Sequence, residues 1–331
     1  MKVLVTGGAG YIGSLLTKKL VAAGHRPVIL DTFNWGSKGI EEFDKDIDMI
    51  EGDCRSSKDL IYALDGVEAV IHLAGIVGEQ ACKINYKAHH TINVESTRNL
   101  LSCMTDPHLD LVPHLIFLSS CSVYGNVAGL YDEVTEDTAT APLSYYAEGK
   151  LLSEKVIWEY YKKCPFLSPT ILRLTTVFGW SPRLRLDLVT NLFVYKALTE
   201  NKITIFGDGK QYRSLIHVDD VAGAVAKVLD SPRFMREGKL FHLGEETNNK
   251  TVAEIASIVK KVLPETEIDF KSGHPTDRRD YRINCQRLKN VIGWKARYSV
   301  EDGIVELAEK LRSLDWDWTA PKYRNNIFDY K

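Results

Sequence analysis

The stretch from Lys2 to Gly13 constrains this chain more than any other. Val3, Leu4 and Val5 read as a buried strand. Glycines stand at positions 7, 10 and 13, and an amphipathic run from Tyr11 to Ala23 follows. That order is strand, tight turn, helix. Gly7 allows the turn, Gly10 lets a pyrophosphate approach the backbone, and Gly13 lets the helix pack closely on the strand. The helix N-terminus, with Tyr11 and Ile12 beside it, then aims free N–H groups at the phosphates. A second apolar run, Pro27 to Leu30, ends in Asp31, eighteen residues past Gly13. A carboxylate at that strand end can accept hydrogen bonds from the ribose hydroxyls of adenosine. Together these features specify a dinucleotide-binding unit.

Beyond it, apolar runs alternate with helical patterns. Strands are expected at 48–51, 69–73, 114–118 and 169–174, with helices at 57–64, 82–105 and 145–163. Strands separated by helices imply a parallel sheet covered on both faces, which binds ligands beyond the carboxyl ends of its strands. The positions at those ends are Asp53 and Cys54, Leu73, Ala74 and Gly75, Ser119 to Ser122, and Thr175 to Gly179. Past Gly179 the pattern loosens. Helices are expected at 187–199, 219–229, 252–263 and 299–313, with strands at 203–206 and 240–243, and the stretch from Asp315 to Lys331 has weak periodicity. The expected fold is α/β: a Rossmann doubly wound parallel sheet over residues 1–178, with a smaller C-terminal α/β substrate-binding lobe over 179–331. Residues 212–244 are expected to pack back on the sheet.

A net charge of −2 without a long run of one sign excludes a nucleic-acid or membrane-surface partner. No apolar run approaches the ~20 residues of a membrane span. The six cysteines form no C-x-x-C pair and have no histidine pair at zinc spacing, so a reduced, cytoplasmic protein without a metal is expected.

Tyr146 and Lys150 are four apart on an expected helix and share a face. A phenol titrates near pH 10, and an adjacent ammonium makes it a usable base near neutrality. The pair follows the fifth strand of a nucleotide-binding sheet, and Ser120 ends that strand.

Here the chain resembles the extended short-chain dehydrogenases/reductases, in particular the nucleotide-sugar epimerases and dehydratases typified by UDP-glucose 4-epimerase. The matching stretches are Thr6 to Gly13, Gly52-Asp53, His72 to Ala74, Asn93-Val94 with Thr97, Ser119-Ser120 with Val123 to Gly125, Tyr146 to Lys150, Leu172 to Leu174, Asn191-Leu192, Arg213, Ile216 to Asp219 and Gly293-Trp294. They span about 290 residues in the family's order.

The resemblance implies NAD held by Gly7, Gly10, Gly13, Asp31 and Asp53, in preference to NADP. Asp53 meets the adenine or else caps the next helix. Tyr146 is the general base and Lys150 holds the nicotinamide ribose. Ser120 bonds the substrate hydroxyl or caps a turn. Asn93 supports the active-site helix or satisfies a buried backbone group. Arg183, Arg185, Arg213, Arg279 and Arg282 are candidates for the nucleotide diphosphate, Arg213 foremost, with Ser122, Thr176 and Asn191 also on the substrate side. The expected reaction is epimerisation of a nucleotide-linked hexose or heptose through oxidation at C4. Release or reduction of the ketone, as on a GDP-heptose, is the alternative, and a non-catalytic NAD-binding regulator is a reading of another class. A homodimer is implied, paired through the helices at 83–105 and 145–163. The family's dehydratases carry an Asp-Glu pair where this chain has Cys121 and Ser122, so 4,6-dehydration is not expected.

Overall fold

The apolar runs fold into one parallel sheet. The computed structural model describes residues 1–109, 113–127, 130–272 and 280–314, together with 317, 320, 323 and 325. In chain order the first half comprises β1 (Lys2–Thr6), α1 (Gly13–Ala22), β2 (Arg26–Asp31), β3 (Asp48–Glu51), α2 (Ser57–Leu64), β4 (Ala69–His72), α3 (Glu79–Ile84), α4 (Tyr86–His90), a π-helical turn Thr91–Glu95, α5 (Ser96–Met104), β5 (His114–Ser120), α6 (Tyr145–Lys163) and β6 (Ser168–Leu174). Then come β7 (Thr176–Phe178), α7 (Val189–Glu200), β8 (Lys202–Phe206), β9 (Tyr212–His217), α8 (Val218–Leu229), α9 (Arg233–Arg236), β10 (Lys239–Leu243), β11 (Asn249–Thr251), α10 (Val252–Val262), β12 (Glu267–Lys271), α11 (Gln286–Ile292) and α12 (Val300–Ser313).

Seven strands pair in the order β10-β6-β5-β4-β1-β2-β3, every pair parallel. The order reverses between β1 and β4, and a crevice opens there at the strands' carboxyl ends. Alternation along β1 shows why these residues make a central strand. Val3 and Val5 join the layer of α1 and α8, with Leu16, Leu20 and Val225, while Leu4 joins the opposite layer with Leu60, Leu100 and Ile157. A strand buried on both faces has to be apolar throughout. β10 lies in this sheet although α7 and β8 precede it, because its partner is β6.

The remaining elements gather around a second core in which Phe193 of α7, Ile255 of α10 and Leu307 of α12 are buried. β7, β9 and β11 form one small sheet, and β8 and β12 another. α10 and α12 begin with reciprocal caps, Thr251 with Glu254 and Ser299 with Asp302.

The structure corrects several expectations. The single helix at 82–105 is broken at Asn85, whose side chain caps α4, and passes through the π-helical turn. Thr176 to Phe178, read as a post-strand loop, is itself strand β7. β9, β11 and β12 had no expected counterpart. Their sequences, such as Tyr-Arg-Ser-Leu-Ile-His in β9, mix charge with apolar residues and show no sustained alternation.

Candidate functional site

Gly7 has φ +72°, a conformation that favours glycine, and a Cβ there would sit 2.8 Å from the backbone nitrogen of Ala74. A Cβ on Gly13 would lie 2.5 Å from the carbonyl oxygen of Gly7, so α1 approaches the turn as only glycine permits. Gly10 has Gly7 O at 3.1 Å from its Cβ position. With Ile12, Asp53, Cys54, Leu73, Ala74 and Gly75, these glycines line one cleft at the sheet's switch point. Asp31 lies at its edge. Its Oδ2 accepts from Ala9 N and its Oδ1 from Phe33 N, each at 3.0 Å. Each oxygen keeps a lone pair for a ribose hydroxyl. Burial raises the pKa of Asp31.

Asp53 does not cap α2; Ser56 does, accepting from Asp59 N. The Asp53 carboxylate instead binds the Arg55 side chain, with Nη2 to Oδ2 at 2.6 Å. Cys54 is buried, which pushes its thiol up to about 12 and leaves it inert. The Tyr11 backbone is at the cleft, but its hydroxyl points away and donates to Gly179 O at 2.8 Å.

Lys150 and Tyr146 occupy adjacent turns of α6. Lys150 is 5% exposed and donates to Leu118 O of β5 at 2.8 Å, with its Nζ 4.8 Å from the centre of the Phe117 ring. Burial pulls its pKa down to about 8. Tyr146 is half-buried against the cluster of Ile76, Ala81 and Cys82, and its phenol acts electrostatically on Arg185. Ser120 ends β5 two residues past Leu118. Its Oγ accepts from Ser122 N at 3.2 Å and from Ser122 Oγ at 2.9 Å. It therefore caps the short turn that follows, and its own O–H proton stays available to a ligand.

Asn93 fills both roles offered to it. Its Oδ1 accepts from Ile76 N at 2.7 Å and its Nδ2 donates to Ile76 O at 2.8 Å, fixing the loop after β4. Its backbone carbonyl, in the π-helical turn, accepts from Ser153 Oγ of α6 at 3.0 Å. Asn93 Nδ2 also meets His89 Nδ1 at 3.0 Å, so His89 carries its proton on Nε2 and donates to Tyr145 O at 2.8 Å. Burial lowers the pKa of His89 and keeps the ring neutral. A Cβ on Gly149 would lie 2.6 Å from this ring, which explains a glycine in mid-helix. The sequence reading missed His89, and no periodicity marks it.

The substrate-side expectations fare differently. Asn191 is fully buried and saturated. Its Oδ1 accepts from Gly179 N at 3.0 Å, and its Nδ2 donates to Tyr11 Oη at 3.3 Å and Arg185 O at 2.9 Å. It binds the fold together and has no proton left for a substrate. Arg213 is buried on β9, with Nη1 donating to Tyr212 O at 2.7 Å, and does not line the cleft. Thr176 is half-buried in the β7–β9 pairing. Arg282 is exposed beside the Tyr212 ring. Arg279 lies outside the described residues. Arg183 and Arg185 reach the dinucleotide cleft itself, together with Trp35 and Asn325, which the sequence reading also missed. Arg185 pairs with Asp187, Nη2 to Oδ2 at 2.6 Å. Among the described residues no cluster could hold a metal, and no helix is long and apolar enough to cross a membrane.

A glycine-lined cleft at a parallel sheet's switch point, with a Tyr-Lys pair one strand away, defines a dinucleotide-dependent oxidoreductase-type site. Residues 3–244 match the model of the NAD dependent epimerase/dehydratase family, and the chain belongs to that family. Its cofactor is NAD. The UDP-glucose 4-epimerase of Bacillus subtilis is 28% identical over 100% of this chain and 99% of its own length. YtcB of the same organism, described as an uncharacterized UDP-glucose epimerase, is 30% identical over 95% of this chain and 99% of its own. The crystal structure of UDP-glucuronic acid 4-epimerase from Bacillus cereus, with UDP-glucuronic acid and NAD, superposes with TM-score 0.83 at 27% identity, covering 94% of this chain and 99% of that one. The chain is an NAD-dependent enzyme of the nucleotide-sugar epimerase/dehydratase group.

Proposed function

We propose that this enzyme epimerises a nucleotide-linked hexose or heptose at C4. The observation that carries the reading is Tyr146 one turn ahead of the buried Lys150, whose Nζ is fixed on β5 two residues before Ser120. Bound NAD supplies the chemistry by accepting a hydride and giving it back. The glycine loop, Asp31 and Asp53 would hold it, and Lys150 would meet its nicotinamide ribose. Tyr146 takes the proton of the C4 hydroxyl. The Lys150 ammonium favours the phenolate that does so. Ser120 donates its free proton to the same substrate oxygen. His89 and Asn93 hold the first turns of α6, so Tyr146 meets the hydroxyl in a fixed direction. The names of the relatives favour a UDP-sugar, and Arg185, beside Tyr146, is the cation best placed toward the sugar.

Dehydration is disfavoured on chemical grounds. Cys121 is fully buried, its S–H donates to Arg173 O at 3.3 Å, and burial raises its pKa. Ser122 is buried and bonded to Ser120. Neither can serve as the acid or base that expulsion of a hydroxyl requires.

We assign the substrate lobe to residues 179–211 and 245–331; of the stretch between, α8, α9 and β10 stay with the seven-stranded sheet, while β9 pairs with β7 and β11 instead. A homodimer is supported by an exposed apolar strip on α3, α4 and α6. Ile84, Tyr86, Tyr145 and Leu152 are solvent-exposed there, and the rings of Tyr86 and Tyr145 lie 4.9 Å apart.

The test is a panel of UDP-, GDP-, CDP- and dTDP-sugars, with product identification by NMR and absorbance at 340 nm. A C4 epimer without net change at 340 nm is expected. Accumulated ketone with stoichiometric NADH would make the enzyme a dehydrogenase. Binding of NAD without effect from any sugar nucleotide would overturn the catalytic reading.

A further inference from the structure

The sequence beyond α12 has weak periodicity and no family motif, yet two of its described residues, Tyr323 and Asn325, lie at the cofactor cleft or beside the loop that lines it. Leu186 N donates to Tyr323 O at 2.8 Å, and the Tyr323 side chain is buried in the second core. Two residues on, Asn325 is 3% exposed and lines the same cleft as Gly7 and Asp31. Its Oδ1 accepts from Arg183 Nη2 at 2.5 Å, and its Nδ2 donates to Val77 O at 3.4 Å. The Arg183 guanidinium lies 4.3 Å from the ring centre of Trp35.

These contacts form a chain with direction. Trp35 belongs to the loop after β2, whose Asp31 marks the ribose end of the cleft. Val77 belongs to the loop after β4, on the side of Asn93 and the catalytic helix. Arg183 and Asn325 bridge the two. A cation-aromatic stack and a charge-assisted hydrogen bond thus link the loop after β2 to the loop after β4 along the lining of the cleft. The Arg183 guanidinium also acts electrostatically on both Asp31 and Asp187.

A bridge of this kind suits one mode of catalysis. An enzyme that takes a hydride and returns it to the same substrate restores its cofactor in every cycle and has no need to release it. An enzyme that ends with oxidised product must exchange the cofactor each turnover. We propose that Trp35, Arg183 and Asn325 form a latch that retains NAD, which makes Asn325 part of the cofactor site. The proposal rests on the NAD-dependent epimerase reading for its purpose, and on the contacts above for its existence.

The experiment measures release. Full-length protein is loaded with NADH and mixed with excess NAD, and decay of bound NADH fluorescence is followed for the native protein and for Asn325→Ala, Arg183→Lys and Trp35→Leu. Slow release from the native protein is expected, with acceleration of about tenfold in each variant, the size expected for loss of one charge-assisted contact. The variants should also lose cofactor during purification. Unchanged release from Asn325→Ala and Arg183→Lys, with native thermal transitions, would overturn the latch, as would release from the native protein complete within mixing. If Arg183→Lys does not fold, Asn325→Ala decides. Faster release in the variants together with no turnover of any sugar nucleotide would keep the latch and reject the substrate reading. Normal turnover with insensitive release would do the reverse.

Discussion

Two stretches of this protein follow strands and were expected to meet phosphate: the turn after β1 and the stretch from Gly179, past β7, into the first turn of α7. They use different chemistry. The first works through what its residues lack. Gly7 and Gly13 have no Cβ to collide with Ala74 or with the Gly7 carbonyl, and the backbone does the holding. The second relies on side chains, and most of these turn inward. Asn191 saturates its amide on Gly179, Tyr11 and Arg185, while Arg183 faces the cofactor cleft. A backbone site is written in the spacing of glycines. A side-chain site depends on what the chain brings opposite it.

The largest effect should fall on Tyr146 of the Tyr146–Lys150 pair, which its spacing, its place after the fifth strand and the family resemblance together proposed. Tyr146→Phe should lower kcat about 10²–10⁴-fold, the range for a general base, with NAD binding little changed. A loss below fivefold at saturating substrate would remove the tyrosine from the mechanism. Next comes a direct contrast of the two stretches. Gly13→Ala should weaken NAD binding at least ~30-fold, about 2 kcal/mol, because its Cβ would lie within 2.6 Å of backbone atoms of both Gly7 and Gly8. Asn191→Ala should instead destabilise the fold by roughly 1–3 kcal/mol by orphaning buried partners, with KM for the sugar nucleotide unchanged in the folded fraction. Calorimetry and titration of the two variants would show whether the division holds. A large KM effect from Asn191→Ala with unchanged stability would reverse it.

A smaller effect tests the junction between the regions. Gly149→Ala should cost about tenfold in kcat, since displacement of a positioned group on this scale carries up to ~10²-fold. The added methyl would push on His89 and, through Tyr145 O, on the turn that carries Tyr146. In a His89→Ala background the same change should cost little. Equal losses in the two backgrounds would mean that the methyl acts elsewhere.

Much of this fold was legible because local pattern and tertiary burial agree. α6 begins and ends where its sequence indicates, with Ser144 as cap, and the continuous apolar character of β1 reports burial on both faces. The break at Asn85 was not legible, because an asparagine in an otherwise helical pattern becomes a cap only when the chain turns there. His89 was missed for a related reason: its value lies in Asn93 on one side and Gly149 on the other, brought together by packing. Arg183 was recognised as a candidate cation, but its neighbours were not legible, since Trp35 and Asn325 approach it from more than a hundred residues away on either side.

The last difference between the regions is energetic. The glycine loop contributes no charged side chain of its own, whereas α6 buries the ammonium of Lys150. Burial lowers its pKa from 10.5 to about 8, and each unit of such a shift corresponds to ~1.4 kcal/mol. Below pH 8 the group is protonated in the folded and unfolded chain alike, and the cost of burying it is fully present. Between pH 8 and 10.5 the folded chain loses its proton while the unfolded chain keeps it, so this cost falls away and stability rises. Lys150→Met should therefore stabilise the cofactor-free protein near neutrality. The shift sets an upper bound of ~3 kcal/mol, and loss of the bond to Leu118 O gives back ~1–3 kcal/mol, leaving a net gain of about 1 kcal/mol. That gain should shrink steadily from pH 8 and reverse by pH 10.5, where the orphaned Leu118 carbonyl is all that remains of the difference. Denaturant unfolding of the two proteins across this range would show it. A pH-independent difference would mean that Lys150 keeps its proton in the folded as in the unfolded chain up to pH 10.5, so that burial does not lower its pKa.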